Sequence, residues 1–254
     1  MSVQASIEDR LALRQRPGGR PLMHQHWGKL LFMHWPIEAD LLRPLIPPQL
    51  SIDTFDGAAW IGVVPFTMWA IRASFLPTIP GTNAFHELNV RTYVHFDGVP
   101  GVWFFSLDAA NRLAVWSARR FYHLCYFNAR MRLDQTGNTI NYSSIREDKR
   151  AAPARFEASW SIGESLSESQ PDSLEFFLTE RYCLYVSHRD QLHRSRIFHN
   201  PWPLRRATIS NYQSTMIESL GVAEPRGQPL LHYAESVAVD IWPLRRVEDR
   251  ALAR

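Results

Sequence analysis

Lysine is nearly missing from this chain. Of 28 basic residues only Lys29 and Lys149 are lysines, which leaves 26 arginines. Arginine stays protonated and cannot form a Schiff base, so a mechanism that needs an amine nucleophile has two candidates. Cysteine is as scarce. Cys125 and Cys183 make no disulfide framework, and each sits among large apolar residues, so both are expected as buried thiols. Basic runs are lacking too. Arg119-Arg120, Arg205-Arg206 and Arg245-Arg246 are pairs only, set against 25 acidic residues and a net charge of +3, which argues against nucleic-acid binding. The longest apolar run, WIGVVPFTMWAI at 60–71, is too short to span a bilayer and contains Pro65. MSVQASIEDRLALRQRPGGRP has no apolar stretch of a secretory signal. A cytoplasmic protein with no nucleic-acid and no membrane partner is the expectation. No nucleophile elbow, P-loop, dinucleotide fingerprint, HExxH or CxxC is found, and neither cofactor nor metal is expected.

What is present is the material of a sizeable core: 254 residues, 45% of them hydrophobic. Residues 1–21 read as a flexible N-terminal arm, with a short helix around Ile7 to Leu13, and 22–250 as one domain. Trp27 to Trp35 reads as a strand, and Pro36 as the opening of a helix stopped by Pro47-Pro48. Asp56-Gly57 predicts a hairpin between Leu50–Phe55 and Ala58–Phe66. After the loop LPTIPGTNA, the segment FHELNVRTYVHF at 85–96 leads through DGVPG into a strand from Val102 to Leu107. Asp108 is the expected N-cap of the helix AANRLAVWSARRF. Cys125–Leu133, Thr139–Arg146 and Arg155–Ile162 read as a meander. Ser173 caps LEFFLTERY, and strands follow at Cys183–Ser187 and Arg189–His199. Asn211–Leu220 is expected as a helix ended by Gly221, before a last strand Glu235–Trp242. About ten to thirteen strands with a few helices predict one β-rich α+β domain, a barrel or closed sandwich.

The segment FHELNVRTYVHF alternates at period two. His86, Leu88, Val90, Thr92, Val94 and Phe96 form a largely apolar face. Phe85, Glu87, Asn89, Arg91, Tyr93 and His95 form a polar one. That polar face either meets water, as in many antiparallel strands, or lines a pocket.

Five stretches carry a resemblance: LLRPLIPPQLSIDTFDGAAWIGVVPF, FHELNVRTYV, FFSLDAANRLAVWSARRFYHLCY, LTERYCLY with HNPWPL, and LHYAESVAVDIWPL. The chain resembles the YqjF-like family of bacterial proteins, a branch of the acetoacetate decarboxylase-like superfamily. The resemblance implies a twisted antiparallel β-barrel with peripheral helices and an internal pocket. It aligns Glu87 with a glutamate that lines that pocket. The decarboxylases carry a P-K-K element whose first lysine forms the Schiff base, its pKa depressed beside a second cation. Here the stretch is FYHLCY and the lysine positions fall near Leu124 and Cys125, so that route is closed.

Four groups remain. Glu87 is a candidate acid or base, with Asn89 and Arg91 as ligand-binding residues on the same strand face. Arg91 suits a carboxylate or enolate because its fork makes two charge-assisted hydrogen bonds. Arg119, Arg120, Tyr122, His123 and Tyr126 occupy the place of the superfamily's catalytic element. Tyr122 and His123 are read as catalytic, and Arg119 and Tyr126 as ligand-binding, against the alternative of a helix end followed by an aromatic strand. His24, His26, His188, His193 and His199 make no ligand triad and read as ordinary histidines. Pro201-Trp202-Pro203 and Trp242-Pro243 read as packing at strand exits. The expected partner is a small oxo- or carboxylate-bearing metabolite, transformed in a lyase-like or proton-transfer step. The alternative is a non-catalytic binding or structural protein, and an edge-rich sheet is compatible with a homo-oligomer.

Overall fold

Turn chemistry arranges the chain before packing does. In the computed structural model, which describes residues 4–75 and 84–247, Asp97 and Gly98 both adopt positive φ, 47° and 76°. This is the two-residue turn that Asp-Gly favours, and it joins β4 (Ala84–Phe96) to β5 (Val99–Ala109) with Phe96 opposite Val99. Asp56 and Gly57 turn the same way, at 49° and 81°, yet they close only the bridge between Phe55 and Ala58. The hairpin expected there does not extend, because both edges of β3 (Ala59–Ala73) are taken, one by β1 (Met23–Ile37) and one by β4. The preceding segment supplies only β2 (Ser51–Ile52), which pairs with β4 instead.

The remaining strands are β6 (Tyr126–Thr136), β7 (Thr139–Arg146), β8 (Arg155–Ser165), β9 (Cys183–His188), β10 (Gln191–Phe198), β11 (Leu204–Ser214), β12 (Leu230–Ile241) and β13 (Arg245–Arg246). The helices are α1 (Ile7–Ala12), α2 (Ala39–Leu42), α3 (Arg112–Phe121) and α4 (Leu174–Thr179). Among the described residues all thirteen strands join one sheet, in the order β13-β10-β9-β5-β6-β7-β8-β11-β12-β1-β3-β4-β2, with further pairings of β4 with β5 and of β10 with β12. From β5 the pairings therefore run through β6, β7, β8, β11, β12, β1, β3 and β4 back to β5. A second circuit leaves β5 through β9 and β10 to β12, and returns by β1, β3 and β4. The ladders are antiparallel except at β5, whose pairs with β6 and β9 are parallel. The crossover through α3 makes the parallel β5–β6 pair geometrically available.

The structure corrects several other expectations. Pro36 lies in β1 opposite Trp60, beyond the last β1–β12 pair at His34, so no ladder bond is lost on that side. Asp108 lies inside β5, and the cap of α3 is Asn111, whose side chain accepts from the Leu113 and Ala114 amides. The segment expected as a helix from Asn211 divides: Asn211 to Ser214 end β11, and only Glu218–Leu220 is helical, one 3-10 turn closed by Gly221 at a φ of 79°, as expected of that glycine. Register shifts between Arg205 and Ala207 and between Ile209 and Asn211 break the alternation of β11 and hide the strand. In the stretch 4–21 the short helix expected around Ile7 to Leu13 is α1, closed by a Ser6–Asp9 capping box; Arg10 pairs with Asp53 at 2.7 Å and, beyond the helix, Arg16 with Asp240 at 2.5 Å. The loop LPTIPGTNA lies, except for Ala84, outside the described residues.

The shared strands β1, β3 and β4 are buried on both faces. On one face Leu31, Met33, Ile61, Val63, Leu88 and Val90 pack with Tyr142, Phe156 and Trp160. On the other, Leu30, Phe32, Val64, Phe66 and Tyr93 pack with Phe177, Leu178 and Trp202. The polar face of β4 thus meets a second core and not bulk water.

Candidate functional site

β4 lies between β3 and β5, so its backbone is paired on both sides and only its side chains are left to interact. Glu87 is opposite Phe66 on one neighbour and Ala109 on the other, and is 2% exposed. Burial in these surroundings disfavours its charge and pushes its pKa up to about 8, with the nearby Asp108 adding to the effect. Tyr126 opposes that rise by donating to Oε2 at 2.5 Å, and Asn89 by a second hydrogen bond. Burial first, then Glu87, drives the Tyr126 phenol well above its usual range. At neutral pH the pair therefore consists of a neutral carboxylic acid and a neutral phenol. Such an acid can donate a proton or a hydrogen bond, and once ionised it can take one back.

Around it the scaffold is rigid. Tyr142 donates to the Glu87 carbonyl at 2.9 Å. Arg119 donates to the Tyr126 carbonyl at 2.9 Å and so braces the backbone that carries the phenol. Behind Glu87, Asp108 and Arg146 form a buried ion pair, with Nε 3.0 and 3.1 Å from the two carboxylate oxygens. Burial pushes Asp108 up to about 6 against the pull of Arg146.

The other end of the same face is built around Arg91. Its Nη2 lies 3.4 Å from Tyr93 Oη and 3.5 Å from the Leu178 carbonyl, and its guanidinium lies 5.3 Å from the centre of the Phe32 ring. Tyr93 Oη is 2.6 Å from His34 Nε2. His34 is fully buried, and burial first, then the charges of Arg91, His232 and Arg181, holds its pKa well below the usual imidazole range, so it is neutral. Gly62 lies opposite both His34 and Arg91. A Cβ there would sit 2.9 Å from His34 Cδ2 and 3.0 Å from Nε2, so only glycine lets the imidazole cross the sheet. His34 was not singled out from the sequence, where a single histidine in LLFMHWP gives only its place in an apolar strand. Several buried polar atoms around this face have no hydrogen-bond partner in the protein: Asn89 Oδ1, Arg91 Nε, His34 Nδ1, Tyr122 Oη, Trp27 Nε1 and His232 Nδ1. Native interiors seldom leave such groups unpaired without a bound molecule or a functional reason.

The structure brings Glu87, Asn89 and Tyr126 together, with Arg91 on the same strand face. Tyr122 packs against the second core, and burial pushes its phenol up to about 12. His123 stands apart. Its φ of 53° turns the chain after α3, and its ring stacks on His188 at 3.6 Å beside an outward cleft of about 310 Å³. The catalytic role expected for it is not supported by these contacts. At the lysine positions, Cys125 donates its thiol to the Phe104 carbonyl at 3.2 Å, and burial pushes its pKa up to about 12. Lys29 pairs with Glu235 at 2.5 Å, and Lys149 is exposed after β7. His24 contacts Asp240 at 2.5 Å, and among the described residues no three His, Cys, Asp or Glu side chains gather as metal ligands. Trp202 is buried and donates to the Thr179 carbonyl at 2.9 Å, as a packing residue at a strand exit should. Among the described residues no helix is long and apolar enough to cross a membrane.

Residues 24–238 match the DUF2071 family, described as an uncharacterized conserved protein. The chain is 45% identical to the uncharacterized protein YqjF of Bacillus subtilis (strain 168) over 231 residues, 91% of this chain and 94% of that one. Its fold is similar to the enduracididine biosynthesis enzyme MppR, solved in complex with pyruvate, with a TM-score of 0.64 at 14% identity over 91% of this chain and 92% of that one. It is also similar to an acetoacetate decarboxylase-like enzyme from Sphingomonas wittichii RW1, with a TM-score of 0.60 at 11% identity over 91% and 94% of the two chains.

Proposed function

As a member of the DUF2071 family, to which the chain belongs, this protein, we propose, folds its two strand circuits into a barrel that shelters a pocket for a small carboxylate- or oxo-bearing metabolite. The observation that carries the reading is the polar face of β4: Glu87 and Asn89, 2% and 4% exposed, in line with Arg91 and surrounded by unpartnered donors and acceptors. A buried ligand would complete those bonds. Arg91 binds the carboxylate, and Glu87, assisted by Tyr126, gives or takes a proton at the neighbouring carbon or oxygen. The chemistry proceeds without an imine, since Leu124 and Cys125 stand where the decarboxylases carry lysines. Tyr122, half-buried with its hydroxyl unpartnered, is the second proton donor to a developing oxyanion.

One observation favours a second, structural reading. Aromatic rings pack closely on the same side of the sheet, Phe32 against Trp202 at 5.1 Å and Tyr93 against Phe177 at 5.4 Å. A thermal-shift screen of small carboxylates on the wild type, Glu87→Gln and Arg91→Met separates the two. A binder raises the melting temperature by mass action. The pocket reading expects a carboxylate that shifts the wild type and loses its effect on Arg91→Met. No shift from any carboxylate favours the structural reading.

A further inference from the structure

The unpartnered atoms on the Glu87 face differ in kind. His34 is neutral, and Arg91 donates to Tyr93 Oη, so the tyrosine hydrogen turns to His34 Nε2. The imidazole proton then resides on Nδ1. His34 Nδ1–H and Arg91 Nε–H are thus two buried donors without acceptors. Asn89 is the reverse case. Its amide donates to Glu87, which leaves Oδ1 as a buried acceptor without a donor. A carboxylate satisfies the donors and has nothing for Asn89. A ketone oxygen beside it carries no hydrogen either, and would set two acceptors against each other.

We infer that the ligand is a short hydroxycarboxylate, its carboxylate on Arg91 and His34 and its hydroxyl donating to Asn89 Oδ1. The inference rests on the proposed pocket and narrows it from oxo acids to their reduced counterparts. Asn89 and Arg91 are two residues apart on one strand face, about 7 Å, a span that an acid of about two to four carbons matches. The same hydroxyl oxygen accepts from the protonated Glu87 carboxyl, so the ligand's polar atoms are paired, as are Asn89 Oδ1, Arg91 Nε and His34 Nδ1. A buried site built to hydrogen-bond a hydroxyl discriminates strongly against an analogue that cannot donate, because its own group is left unpaired.

The test is calorimetric titration of the full-length wild type with matched pairs: 3-hydroxybutyrate, in both enantiomers, against acetoacetate and butyrate, and lactate against pyruvate and propionate. The expected result is that one hydroxy acid binds at least about tenfold tighter than its oxo partner. Asn89→Ala is expected to abolish that ratio by weakening the hydroxy acid alone. If the variant fails to fold, the wild-type comparison decides by itself. An oxo acid that binds as tightly as its hydroxy partner overturns the inference and leaves the carboxylate pocket standing. If none of these acids binds, both the inference and the pocket reading fail.

Discussion

Glu87→Gln replaces a buried acid by its neutral near-isostere, and its effect should depend on pH. The wild-type carboxyl has an ordinary value of 4.5 and is pushed to about 8 by burial. Between those values the folded protein holds a proton that the unfolded chain has released. Stability from this group is therefore complete below about pH 4.5, falls as pH rises, and is gone by about pH 8. The slope is roughly 1.4 kcal/mol per pH unit, so the full window amounts to about 5 kcal/mol, an upper figure because any relaxation around the ionised acid reduces it. Glutamine keeps an oxygen to accept from Tyr126 and has no proton to lose. Urea denaturation of both proteins from pH 5 to pH 9 isolates the effect, since the two chains differ only at position 87. The variant should gain on the wild type steadily up to about pH 8 and no further. Parallel curves would refute the assignment of a buried, protonated Glu87.

Three further outcomes follow from the same geometry. Asp108→Ala leaves the Arg146 cation buried without its counterion and should cost about 3–5 kcal/mol in urea denaturation, part of it recovered when Arg146→Met is added. Gly62→Ala drives a methyl into the His34 ring and should cost about 1–3 kcal/mol, while abolishing the thermal shift produced by any carboxylate that binds at Arg91. Borohydride treatment in the presence of acetoacetate should leave the intact mass unchanged, because Lys29 is held by Glu235 and Lys149 is exposed after β7; an adduct on Lys29 would reopen imine chemistry.

Much of the scaffold was legible in the residues. Asp97-Gly98 specified its turn, Ser173 capped α4, and Thr139–Arg146 is a strand with the expected bounds. What escaped was set by long-range pairing. Asp56-Gly57 turns as Asp-Gly does, but whether its flanks zip together depended on β1 and β4, which are distant in sequence. Asp108 has the chemistry of a cap, and Arg146, 38 residues on, draws it into the sheet instead. At the site, alternation in β4 separated Glu87, Asn89 and Arg91 from the apolar face, and it could not tell a face in water from one against a second core. His34 reaches Tyr93 across 59 residues and only because Gly62 is bare, a three-strand coincidence that no local pattern encodes. His123 shows the opposite limit: its place in the sequence is suggestive, and no local pattern encodes the φ of 53° after α3 or the stacking of its ring on His188.

The protonation state of the Glu87 carboxyl decides what that face can do. Infrared difference spectra between the wild type and Glu87→Gln, recorded across the pH range with and without a bound carboxylate, read it without perturbing the fold. A buried Glu87 acid gives a protonated carboxyl stretch at neutral pH that disappears around pH 8 and shifts when the ligand binds. An ionised carboxylate at pH 7, indifferent to ligand, would contradict that assignment.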